Sequence, residues 1–138
     1  MPNNQPIFSR IGDIQWSSTS VSSANTTKDL TTGTTYSVFT ADSTNGGYVQ
    51  RIRFRPLGTN AATVARIWIN NGSVTNTATN NILFDEVSLA ASTISETSAT
   101  SLTELPLNFA LPPSYKIFVT LGVTASAGYA VSVIGGKY

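Results

Sequence analysis

The chain has 138 residues, no His, no Cys, eight Lys or Arg against seven Asp or Glu, and 11% charged residues. A single domain of this length can bury a core without covalent staples. The absent residue types remove the common soft metal ligands, the thiol nucleophile and the near-neutral proton shuttle. A net charge of +1 exerts no strong pull on nucleic acid or an anionic membrane, and solubility rests largely on hydroxyls and amides.

Residues 1–12 read as an N-terminal arm ahead of a β domain spanning 13–138. Pro2 and Pro6 oppose helix, and Asn3, Asn4 and Gln5 have little to bury. Ile7 and Phe8 are the arm's candidate anchors to a neighbouring subunit. The opening has neither the basic nor the apolar region of a signal peptide. No apolar run approaches the ~20 residues that span a bilayer. The expectation is a soluble protein made in a cytoplasm, with no membrane partner.

Strand signals then follow in short succession. Ile14 to Trp16 leads into a Ser-rich stretch ending near Val21, and Thr34 to Thr40 is dense in β-formers. Tyr48 to Arg55 alternates cleanly, and Thr63 to Asn70 closes on Asn70-Asn71-Gly72. Ile82 to Leu89, Leu105 to Leu111, Tyr115 to Leu121 and Tyr129 to Ile134 complete about eight runs separated by Gly, Pro, Asn and Ser. No segment carries a convincing helical period. Asn71 to Asn81 and Ala90 to Ser101 read as polar loops. These features predict an all-β, single-domain antiparallel β-sandwich of about eight strands. A jelly-roll-like arrangement suits the strand count better than an immunoglobulin-like one, whose Cys-Trp-Cys core is missing.

Arg51, Arg53 and Arg55 alternate with Ile52 and Phe54, so a pleated strand puts the guanidiniums on one face and the apolar pair on the other. With Arg66 they make up half of the basic residues. A one-sign stripe suits carboxylates of another subunit, or Asp85 and Glu86 on a neighbouring strand. A solvated face is the plain alternative. Nucleic acid is the weakest reading, because no basic surround supports it. Trp68 shares a face with Val64 and Arg66. It therefore either stands beside guanidiniums at an interface or packs into a core.

Asp85 and Glu86 are adjacent and point to opposite faces of a strand, which excludes a glycosidase pair. Ser and Thr have no His partner, and neither Lys28 nor Lys116 sits in a Ser-x-x-Lys frame. Asp42 to Gly47 has too few acids for a tight calcium site and reads as a turn. Asn25-Thr26-Thr27 and Asn71-Gly72-Ser73 match the glycosylation sequon by chance in an Asn/Thr-rich chain. No catalytic residue, metal site or cofactor is expected, and the chain does not read as an enzyme.

The stretches Gly47 to Asn60, Ala65 to Gly72, Leu111 to Lys116 and Gly128 to Tyr138 resemble small structural proteins of tailed bacteriophages, of the capsid-decoration (cement) or tail-associated kind. The resemblance covers about residues 36 to 138. It implies a β-sandwich knob on the virion, commonly a homotrimer, that binds the phage major capsid protein or other virion subunits and is assembled in the bacterial host cytoplasm. It supplies no catalytic residue. The expected interface residues are Ile7, Phe8, Arg51, Arg53, Arg55, Arg66 and Trp68. A tail-fibre module that binds host-surface carbohydrate is the alternative.

Overall fold

A computed structural model describes residues 11–138. It has eight strands: β1 Ile11–Trp16, β2 Tyr36–Thr40, β3 Gly47–Pro56, β4 Thr63–Asn70, β5 Asn81–Leu89, β6 Thr103–Leu111, β7 Lys116–Leu121 and β8 Tyr129–Lys137. One sheet runs β1-β8-β3-β6 and the other β2-β7-β4-β5, with every strand pair antiparallel. The first strand therefore pairs with the last, the second with the seventh, the third with the sixth, and β4 with β5. This is a long hairpin rolled into two layers, the connectivity of a jelly roll.

Alternation drives the roll. Ile52 and Phe54 on β3 and Val131 and Val133 on β8 face inward from the first sheet. Ala65 and Ile67 on β4 and Ile117 and Val119 on β7 meet them from the second. β7 is buried on both faces, which explains its unbroken apolar run. Pro106 sits on β6, an edge strand, where a missing N–H costs little.

Two boundaries shift from expectation. β1 begins at Ile11, so Ile11 and Gly12 belong to the sheet and not to the arm. β8 continues past Ile134 to Lys137 because Gly135 lets the Tyr48 backbone of β3 approach closely. Ile7 and Phe8 lie outside the described residues.

Side-chain amides hold the connections. Asn25, expected as a chance sequon, is 4% exposed. Its Nδ2 donates to the Thr32 and Thr34 carbonyls at 2.8 and 3.0 Å, and its Oδ1 accepts from the Thr27 N–H and hydroxyl. Gly33 crosses this clamp with φ +79°, and a Cβ there would meet the Asn25 amide at 2.8 Å. Asn60 plays the same part in the β3–β4 connection, at the same end of the sandwich. Its Oδ1 accepts from the Ala127 and Gly128 N–H groups at 2.8 and 3.1 Å, and its Nδ2 donates to the Gly128 carbonyl at 3.0 Å. The Asp42 stretch is a turn, as expected. The Asp42 carboxylate accepts from the Asn45 and Thr44 N–H groups, which hold its pKa below the usual carboxylate value.

Tyr36 opens β2 and anchors the loop after β1. Its hydroxyl accepts from the Ser23 and Ser22 N–H groups at 3.0 and 3.2 Å. Burial opposes ionisation, but these donors outweigh it and bring the phenol down to about 8.

Two measurements test these roles. Asn60→Ala leaves the Ala127 N–H without a partner and removes one of two bonds at the Gly128 N–H and carbonyl, and should lower stability by about 1–3 kcal/mol in urea unfolding. For Tyr36, the folded chain releases its proton from about pH 8, whereas the unfolded chain holds it to about 10. The unfolded state binds more protons between those values, so stability should rise from pH 8 to 10. That contribution is lost as pH falls through 8, and Tyr36→Phe should remove the rise.

Candidate functional site

The outward face of the β1-β8-β3-β6 sheet carries the arginine stripe. Ile52 and Phe54 are fully buried beneath it, as the alternation requires. Cross-strand register puts Arg53 beside Ser132 on β8 and Glu104 on β6, and Arg51 beside Ile134 and Pro106. Glu104 lies between the two guanidiniums and offsets one of their two charges. Its Oε1 lies 2.7 Å from Arg53 Nε and its Oε2 3.5 Å from Arg51 Nη1. Arg55 donates from Nη1 to the Thr100 carbonyl at 3.0 Å. All these groups are partly solvated, so each ion pair contributes at most ~1 kcal/mol. Gln50, Arg51, Glu104, Pro106 and Asn108 line a cleft of about 300 Å³ on this face.

Arg66 is not part of the stripe. It lies on the other sheet, where its Nε sits 3.0 Å from Glu86 Oε1. The expected four-arginine set is therefore two groups on opposite faces of the molecule. Of the two acids expected as partners for the stripe, Glu86 instead serves Arg66. Glu104 takes the role on β3, and only the β3–β6 register reveals that.

Trp68 also lies on the second sheet's outward side, yet it is 1% exposed. It packs with Leu30, Phe118 and Leu83 in a small second core, and its Nε1 donates to Thr120 Oγ1 at 2.9 Å. The long loop between β1 and β2 folds over it. Leu30 accepts a positive φ of 64° to plug that core. Trp68 is thus taken up internally and offers no surface to a partner. Arg66 next to it keeps only 14% of its side chain exposed.

The exposed aromatic is Trp16, at 68%. Together with Ile14, exposed at 59%, it stands on the same outward face as the stripe, opposite Ser132 and Ile134 of β8. Trp16, Ser17 to Ser20, Leu57 and Ala130 border a groove of about 310 Å³. A second apolar ridge lies at the far edge. A bulge in the β4–β5 ladder sets Phe84 out of register, and its ring meets Phe109 of β6 with centroids 4.9 Å apart. Ile82 and Phe84 remain exposed there.

Among the described residues no three of Asp or Glu gather into a group that could hold a metal ion, and no helix is long and apolar enough to cross a membrane. What the outward faces offer chemically is hydrogen bonding, paired charge and apolar contact. No family model matches the chain, and no curated protein does.

The two indoles give a direct optical test. Acrylamide should quench Trp16 and spare Trp68. Trp16→Phe should leave only a blue-shifted, poorly quenched emission, and Trp68→Phe the reverse.

Proposed function

We propose that this chain is a non-enzymatic structural subunit of a tailed-phage particle, a capsid decoration or cement protein that binds and stabilises the shell. The observation that carries the reading is an outer surface poor in charge and rich in large apolar side chains on several sides. Ile14 and Trp16 stand on one sheet, Ile82 and Phe84 at the opposite edge, and Ile94 and Val123 in the loops. The core is closed without them, so they are available for other polypeptides. The resemblance of residues 36 to 138 to such proteins supplies the particle. Its major capsid protein and further copies of the chain are the partners, and the virion is the location.

Binding on this reading comes from covering apolar surface, with Ser, Thr and Asn hydrogen bonds at the rim. A stable interface removes about 1,600 Å² in total. The Arg51–Glu104–Arg53 cluster, whose one carboxylate offsets one of its two positive charges, adds orientation as well as attraction for an acidic neighbour. A glycan-binding module is the second reading. The exposed indole of Trp16 beside the Ser17 to Ser20 hydroxyls favours it.

The two separate by experiment. The purified protein should bind purified shells at a fixed high copy number and no glycan on an array. Ile82→Glu with Phe84→Glu should reduce shell occupancy at least tenfold while leaving the fold unchanged. Glycan capture that depends on Trp16, without shell binding, would overturn the particle reading.

A further inference from the structure

The four sheet edges are unequal. β6 carries Pro106 and a left-handed Asn108, with φ 51°. β5 has the Phe84 bulge and the charges of Asp85 and Glu86. β2 is short, bulged and gripped from the side, since Gln15 donates from Nε2 to the Thr40 carbonyl and accepts the Thr40 N–H at Oε1. Such features keep an edge from recruiting another strand. β1, Ile11-Gly12-Asp13-Ile14-Gln15-Trp16, has no proline, no bulge and one charge.

The direction of its free backbone groups follows from the ladder. The Ser17 N–H donates to the Val131 carbonyl, in line with the β1–β8 register. Hydrogen-bonded pairs alternate in an antiparallel ladder. The odd residues of β1 therefore face β8, and Gly12, Ile14 and Trp16 point their N–H and C=O groups away from it. Among the described residues no strand lies on that side.

We infer that β1 pairs with β1 of a second copy of this chain, antiparallel and about a two-fold axis through Ile14. In that register Ile14 faces the partner's Ile14, and Gly12 faces the partner's Trp16. Every outward N–H and C=O of the three residues is then bonded. Charge is compatible, because Asp13 lies opposite the partner's Gln15 and not its own copy, and each Asp13 already accepts from Nε2 of its own Gln15 at 3.0 Å. Shape is compatible too. A Cβ built on Gly12 meets nothing within 4 Å, and its cross-strand neighbour is Gly136, with Tyr48 one strand further on. Gly136 is buried, but Gly12 itself is exposed where the partner's indole would rest, a known way of covering an edge glycine. Two four-stranded sheets join into one of eight. The contact is isologous and self-closing, and differs from the three-fold assembly that the phage resemblance implies.

The test needs only the full chain in solution, so its failure is separable from failure of shell binding. Sedimentation should show a reversible monomer–dimer equilibrium. Ile14→Lys sets two ammoniums on the axis, and Gly12→Val occupies the indole's seat without crowding the monomer. Each substitution acts twice across the axis and should weaken the dimer on the order of tenfold or more, with circular dichroism and urea midpoint unchanged. The chain has no native Cys, so Ile14→Cys should oxidise to a disulfide dimer and Trp16→Cys should not. A monomer at the highest attainable concentration would overturn the inference. So would a dimer or trimer indifferent to Ile14→Lys and Gly12→Val, or equal cross-linking at positions 14 and 16.

Discussion

Ile52, Phe54, Val131 and Val133 of one sheet press against Ala65, Ile67, Ile117 and Val119 of the other, and the remaining structure hangs on that contact. Full burial of each large aliphatic or aromatic side chain is worth about 1.5–3 kcal/mol. The strands contribute these residues at every second position, so the neighbours must point outward. The arginine stripe exists because Ile52 and Phe54 are needed inside. The two-layer packing thus decides which polar groups reach solvent before any partner is considered.

Polar residues do the work that covalent staples do in other small β domains. Asn25, Asn60 and Asp42 each replace missing ladder bonds in a connection with side-chain bonds to its backbone. Buried backbone groups must find partners, and a short amide supplies both donor and acceptor in one side chain. The abundance of Asn, Ser and Thr therefore reflects loop architecture as well as solubility. It also accounts for the rigid cover over Trp68, where Asn81 holds the Asp29 carbonyl at 3.0 Å next to Leu30.

Charge is handled locally on both outward faces. Glu104 sits between Arg51 and Arg53, and Glu86 beside Arg66. Arg66 is balanced by Glu86, whereas Arg51, Arg53 and Arg55 share the one carboxylate of Glu104 and leave the stripe positive, so shape and apolar contact act beside that charge in recognition. Trp16, Ile14, Ile82 and Phe84 are the surface's most distinctive apolar features. They occupy edge strands, where a sandwich is least able to cover its own side chains.

The amino-acid order alone determined the strands and their faces. Thr63–Asn70 coincides with its expected limits, and Arg51, Arg53 and Arg55 lie on the expected side of β3. These are local properties, set by the two-residue period of the pleat and by turn residues such as Asn70-Asn71-Gly72. Which strands become neighbours is not local. Glu104 is fifty-three residues from Arg51 along the chain, and no spacing rule joins them. Arg66 and the stripe part company because β3 and β4 belong to different layers. Trp68 and Trp16 look alike in sequence, each on an alternating strand. One is sealed because a distant loop carrying Leu30 folds across it, and the other stays open because its strand lies at a sheet edge. Exposure of an outward side chain depends on what the rest of the chain places over it, and only the tertiary structure decides that.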